Sequence, residues 1–283
     1  MRWEKVARRA MVAAGVWLIV AYPAARAQSL AIHWYKDLAE ASAAAQKNNQ
    51  PMLIDFWADW CAPCKLMEKA VYSDRSLVEA FGAKLVGVRI HFDLQPEIAR
   101  RYNVPALPYL VFTDSYGTEL MHQRGLIAAG YLTAVVKALP ADISEINRLD
   151  RILQQEKDDF NGLLEMGHVL RASGFYGSSN TYYARALKQD GAKNDAAQRE
   201  QVWFSMALNW LALEDGKSAA NALERCLQEF PQSSRRAEML LSLGQAYARD
   251  AKKDKARKSW NSVIAEFPQS EAARQARALL QSL

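Results

Sequence analysis

Cysteine is scarce in this chain: three residues in 283, accompanied by four histidines. That is too few for the disulfide scaffold on which small secreted domains rely. A zinc centre takes about four ligands, and no second C-x-x-C and no H-x-x-x-H accompanies the one close pair, Cys61 and Cys64. Long hydrophobic runs are scarce as well. The apolar stretch 10–24 contains Pro23 and is short for a membrane span, and no other segment comes near one. Excess charge is missing once the N-terminus is set aside. Of 36 Lys and Arg and 31 Asp and Glu, residues 1–27 hold five and one, which leaves 31 against 30. A near-neutral balance gives no support for nucleic-acid binding. The run Lys252-Lys253-Asp254-Lys255-Ala256-Arg257-Lys258 is broken by acid and alanine and reads as a solvated helix face.

The N-terminus is patterned for export. Met1-Arg2-Trp3-Glu4-Lys5-Val6-Ala7-Arg8-Arg9 is a positive leader, 10–24 an apolar core, and Ala25-Arg26-Ala27 an A-x-A cleavage site before Gln28. Residues 1–27 are therefore expected to be a signal peptide, with an uncleaved N-terminal anchor as the alternative, and the mature protein is expected in the periplasm.

What is present is chemistry at Trp60-Cys61-Ala62-Pro63-Cys64. Upstream, Pro51-Met52-Leu53-Ile54-Asp55-Phe56-Trp57-Ala58 is a strand-forming apolar run broken by one acid; downstream, Lys65-Leu66-Met67-Glu68-Lys69-Ala70 is helix-forming. Pro63 falls in the first turn, where a missing N–H is harmless. Cys61 is thus expected at a helix N-terminus, where backbone N–H groups and the helix dipole favour a thiolate. An exposed, acidic cysteine with a partner three residues on is what thiol–disulfide exchange requires. A purely structural disulfide closing so small a loop would stabilise little.

The segment 53–65 resembles the active-site strand and turn of the thioredoxin family, and the resemblance extends over about residues 33–139. It implies an α/β thioredoxin fold, a central mixed sheet flanked by helices. It implies roles as well. Asp55 matches the family's buried acid, which helps take the proton from the second cysteine, here Cys64; burial would raise its pKa to a useful value. Val104-Pro105-Ala106-Leu107-Pro108-Tyr109-Leu110-Val111-Phe112 matches the second signature. Pro108 is then the cis-proline packed against the cysteine pair, and Leu107 offers backbone groups to an extended substrate. Trp60 and Leu107 are the expected substrate contacts, and Gly125 falls where the family keeps a glycine near the site. Within the family, Cys64-Lys65-Leu66-Met67-Glu68-Lys69 followed by Val71-Tyr72-Ser73-Asp74 and Leu77-Val78 is most similar to the C-terminal domain of DsbD and related periplasmic thioredoxin-like proteins. Two positions depart: Arg89 stands where thioredoxins usually carry lysine near the acid, and Ala62 replaces the usual glycine.

After Pro140 the pattern turns helical. Gln228-Glu229-Phe230-Pro231-Gln232-Ser233 and Ala265-Glu266-Phe267-Pro268-Gln269-Ser270 lie thirty-seven residues apart. Counting back from each proline gives a pattern that resembles the 34-residue tetratricopeptide repeat: Trp203, Met206, Ala207, Trp210, Ala219, Leu223, Cys226, and then Leu240, Leu243, Gly244, Tyr247, Ala256, Trp260, Val263. A weaker copy contains Leu163, Met166, Gly167, Leu170, Tyr183 and Ala186, departs at Ser179, and has Gly191 in place of the proline. The expected division is a thioredoxin-like domain over 28–140, a bridging helix over 141–158, and an all-α solenoid of about three repeats over 159–283, capped by 270–283. Cys226, on a small-residue position, is expected to be buried and unreactive.

These readings converge on an exported thiol–disulfide oxidoreductase that needs no cofactor. Its expected partners are protein disulfide substrates, a DsbD-type membrane electron donor, and a protein or peptide in the repeat groove. The Ala-Pro dipeptide resembles the reducing thioredoxin type rather than the oxidising DsbA type. A competing reading makes the chain an interaction scaffold with the first domain as platform, and another an oxidase or isomerase of exported proteins.

Overall fold

The computed structural model describes residues 31–283. The segment expected as signal peptide or anchor lies outside the described residues, and among them no helix is long and apolar enough to cross a membrane. The first half runs β1 (Trp34–Tyr35), α1 (Leu38–Asn48), β2 (Met52–Trp57), α2 (Ala62–Leu66), a π-helical turn (Met67–Val71), α3 (Arg75–Lys84), β3 (Val86–His91), α4 (Pro96–Arg101), β4 (Tyr109–Thr113), β5 (Glu119–Arg124) and α5 (Ala129–Ala138). The strands form one sheet in the order β1-β3-β2-β4-β5. β1, β3 and β2 are parallel, whereas β4 and β5 run antiparallel to their neighbours.

β2 is central, and from Met52 to Phe56 every residue is buried. A strand covered on both faces loses the alternation of polar and apolar residues, which is why its sequence is nearly continuous hydrophobe. Side chains still alternate between faces. Met52, Ile54 and Phe56 join Val88, Ile90, Tyr109 and Val111 in a core facing α1 and α4. Leu53 joins Leu110 and Phe112 on the opposite side, against Met67, Tyr72, Leu77 and Phe81. Asp55, two residues after Leu53, belongs to that second face.

The second half is helical: α6 (Ser144–Gln155), α7 (Phe160–Ala172), α8 (Tyr176–Ala186), α9 (Asp190–Asn194), α10 (Ala196–Ala212), α11 (Gly216–Glu229), α12 (Arg236–Arg249), α13 (Lys253–Glu266) and α14 (Glu271–Gln281). Asp159, Asp195, Asp215 and Ser270 cap helix starts with side-chain bonds to the N–H three residues on. The pairs α7–α8, α10–α11 and α12–α13 form three antiparallel hairpins. In the first and third, close approach depends on glycine at matching positions, where the second has Ala207. A Cβ on Gly167 would sit 2.4 Å from the Tyr183 ring, and one on Gly244 would sit 2.1 Å from Nε1 of Trp260.

The two halves share one apolar core. Leu110, Phe112 and Leu120 of the sheet and Leu132 and Val136 of α5 pack in the same cluster as Ile146, Leu149 and Leu153 of α6 and Leu163, Met166 and Leu170 of α7. Polar contacts stitch the same seam. Ile143 N–H donates to the Asn49 carbonyl at 2.9 Å, Asn147 Nδ2 to Ser115 Oγ at 3.0 Å, and Ser178 Oγ to the Leu120 carbonyl at 2.6 Å. The last of these places a helical residue on β5, the edge strand of the sheet, which leaves less of it open to stray pairing. The first repeat hairpin continues the first domain's core, whereas α10 to α14 pack in separate apolar clusters.

Candidate active site

Cys61 and Cys64 are joined in a disulfide at the start of α2. Cys61 is the helix N-cap, and its Sγ accepts from the Cys64 N–H at 3.2 Å. Pro63 lies in the first turn, so no helical hydrogen bond is lost there. The pair packs with Ala58, Trp57, Phe92 and Leu107. Cys61 is only 2% exposed, in contrast to the exposed thiol expected from sequence. In this oxidised state its sulfur is bonded to Cys64 and packed within this apolar shell.

The Leu107–Pro108 peptide bond is cis. It sits immediately before β4, and Pro108 is buried. Gly125, whose φ of +78° suits glycine, donates its N–H to the Pro108 carbonyl at 2.9 Å and fixes the loop. Among the described residues the N–H and C=O of Leu107 enter no backbone hydrogen bond, so both remain available beside the disulfide. Trp60 turns outward and is 64% exposed, with its indole N–H held by Asp93 Oδ2 at 2.8 Å.

Asp55 lies beneath this surface on β2, 2% exposed. Arg89, opposite it in the β2–β3 register, donates from Nε to Asp55 Oδ2 at 3.1 Å. The same guanidinium approaches Glu68 Oε1 at 3.5 Å and stacks 4.6 Å from the centre of the Trp57 ring. Burial raises the proton affinity of Asp55, and the Arg89 charge only partly opposes it, so its pKa stands at about 6 instead of 3.8. A buried carboxyl poised near neutrality can accept a thiol proton and return it.

The structure thus gathers Cys61, Cys64, Leu107 and Pro108 at one end of the sheet, places Asp55 inside on β2, and sets Trp60 on the rim. Sequence reasoning gave no site role to Asp93, Phe92, Glu68 or Tyr72, the last two of which entered only through the family resemblance. Asp93 is thirty-three residues from Trp60, and no local pattern announces such a pairing. Glu68 carried a readable signal, since a residue four positions after Cys64 in the following helix comes back towards the same face. Cys226 is fully buried, with its thiol pushed up to about 12 mainly by that burial; it has no part in this site.

A mixed sheet with its redox disulfide at a strand-to-helix junction, a cis-proline beside it and a buried acid below defines a thioredoxin-like redox domain, here followed by tetratricopeptide hairpins. Residues 33–115 match the thioredoxin-like family and residues 238–270 match the tetratricopeptide repeat. The chain is 41% identical over 61 residues to thioredoxin 1 of Chlorobaculum tepidum, covering 22% of this chain and 57% of that protein. It is 31% identical over 106 residues to chloroplastic thioredoxin X of Arabidopsis thaliana, covering 37% and 57%. To the thiol:disulfide interchange protein DsbD of Pseudomonas sp. strain JR1 it is 36% identical over 91 residues, 30% of this chain and 16% of that one. The chain therefore spans less than two thirds of each of these relatives. A solved DsbH oxidoreductase aligns with a TM-score of 0.34 at 24% identity, over 45% of this chain and 97% of that one.

Proposed function

We propose that this protein is an exported reductase of protein disulfides whose repeats hold a protein partner near the active site. The observation that carries the redox part is the Cys61–Cys64 disulfide capping α2 above a buried, proton-avid Asp55. In the reduced protein the Cys61 thiolate attacks a substrate disulfide. One substrate sulfur leaves as a thiolate, and a mixed disulfide with Cys61 forms. Cys64 then gives its proton to the Asp55 carboxylate and attacks Cys61 Sγ, which re-forms the Cys61–Cys64 bond and releases the second substrate sulfur. Two electrons pass to the substrate, so each turnover needs a dithiol donor; similarity to part of DsbD makes a DsbD-type membrane protein the donor we favour.

Export rests on the leader pattern of residues 1–27. The reducing direction rests on the Ala-Pro dipeptide between the cysteines. Recruitment by the repeats rests on the shared core, which holds the helical array at a fixed place on the redox domain. Replacement Cys61→Ser should abolish insulin-disulfide reduction, and retained activity would overturn the assignment. Equilibration of the pair with glutathione or dithiothreitol decides direction. A potential near about −270 mV supports the reductase, whereas one near about −120 mV makes it an oxidase.

A further inference from the structure

Tyr72 is a buried tyrosine whose hydroxyl has no structural use. The residue follows the π-helical turn and is 7% exposed. Its ring packs 5.0 Å from the Trp34 ring, within the cluster formed by Leu53, Met67, Leu77 and Phe81. A phenylalanine would fill that volume equally well. The hydroxyl itself is buried and has no hydrogen-bond partner, an arrangement that costs free energy and is rare in native proteins. It lies in the neighbourhood of the Asp55 carboxyl: the Trp34 ring beside it also carries the Arg89 guanidinium at 6.0 Å, and Arg89 in turn donates to Asp55 at 3.1 Å.

The groups around it are few. Asp55 comes from β2, Arg89 from β3, Glu68 from the π-helical turn, and the Cys61–Cys64 disulfide lies at the start of α2. Arg89 is engaged by both acids, at 3.1 Å and 3.5 Å. Burial and the Asp55 charge hold the phenol far above its ordinary range, so at working pH it is a neutral donor. A protonated Asp55 needs no donor on its second oxygen, but an ionised one does.

We propose that Tyr72 is a positioning residue for Asp55: its hydroxyl swings onto the carboxylate when Asp55 is ionised and holds it ready to receive the Cys64 proton. This rests on the disulfide-exchange reading of the site. The orphan hydroxyl is then a donor kept, at the expense of stability, for the ionised acid that awaits the Cys64 proton.

The test is a ¹³C NMR titration of the Asp55 carboxyl in the oxidised full chain, which requires no turnover. Tyr72→Phe should move the midpoint upward by about one pH unit, the tenfold effect of losing one hydrogen bond to a charged group. The low-pH limb of the reduction rate should move with it, with no loss of thermal stability at pH 4, where Asp55 is protonated. Site-specific 2,3-difluorotyrosine at position 72, a stronger donor of nearly the same shape, should move the midpoint downward and decides the matter should Tyr72→Phe fold poorly. An unchanged midpoint in the fluorinated protein, or shifts of the same sign in both variants, overturns the proposal. Opposite shifts in a protein that reduces no disulfide would sustain the Tyr72–Asp55 pairing and discard the reductase.

Discussion

Replacing Asp55 by asparagine should make the protein more stable and less active, and the size of the first effect follows from the site. The carboxyl binds its proton with a pKa of about 6 in the folded chain, against 3.8 for a free side chain. The folded state therefore holds the proton more tightly than the unfolded state. Stability from this group is full below about pH 4 and declines as pH rises through 6. About two pKa units at about 1.4 kcal/mol each amount to about 3 kcal/mol lost by pH 8. Asparagine has the same shape and cannot ionise, so it escapes that loss, while Arg89 keeps Glu68 as a partner. Urea unfolding of oxidised wild-type and Asp55→Asn proteins between pH 4 and 8 reads the difference directly. The two should coincide near pH 4 and diverge to about 3 kcal/mol in favour of the variant by pH 8, while insulin reduction falls roughly a hundredfold for want of a general base. A flat difference curve would refute the reasoning. An Asp55→Asn protein less stable at pH 8 would show that the Arg89 attraction outweighs burial.

Asp114, at the seam with α6, should behave alike: burial and the nearby Asp150 raise it to about 7, so Asp114→Asn is expected to gain about 4 kcal/mol over wild type by pH 8, and a pH-independent gap between the two unfolding curves would contradict this. Gly244→Ala should destabilise, because the added Cβ meets Trp260 at 2.1 Å; the overpacking of about 1–3 kcal/mol exceeds a helix-propensity gain of about 1 kcal/mol. Gly82→Ala on α3, with open space around it, is the paired control, and equal melting shifts in the two variants would dismiss the packing argument. A fragment ending at residue 140 should lose the cooperative unfolding of the full chain, since it bares the apolar face that Ile146, Leu149 and Leu153 cover; an unchanged midpoint by near-ultraviolet circular dichroism would show that the shared core is dispensable.

Much of this molecule is written in local sequence. β2 is legible because a strand buried on both faces needs an unbroken run of hydrophobes. The cysteine pair is legible because helix start, proline and spacing all fall within five residues. The hairpins are legible because small residues must recur where helices touch, as Gly167 and Gly244 do against Tyr183 and Trp260. What escaped is what depends on elements distant in the chain. The Trp60–Asp93 bond, the sharing of Arg89 between Asp55 and Glu68, and the unpartnered Tyr72 hydroxyl each join residues that only the packed sheet brings together.

By itself, the sequence determined the elements, the redox pair and the repeat architecture, because each is a matter of periodicity and short-range spacing. Tertiary structure alone decided how acidic Asp55 is and whether the helical half moves freely. The first depends on the dielectric and charges that other strands supply, and the second on an apolar core that runs unbroken from β4 through α6 into α7.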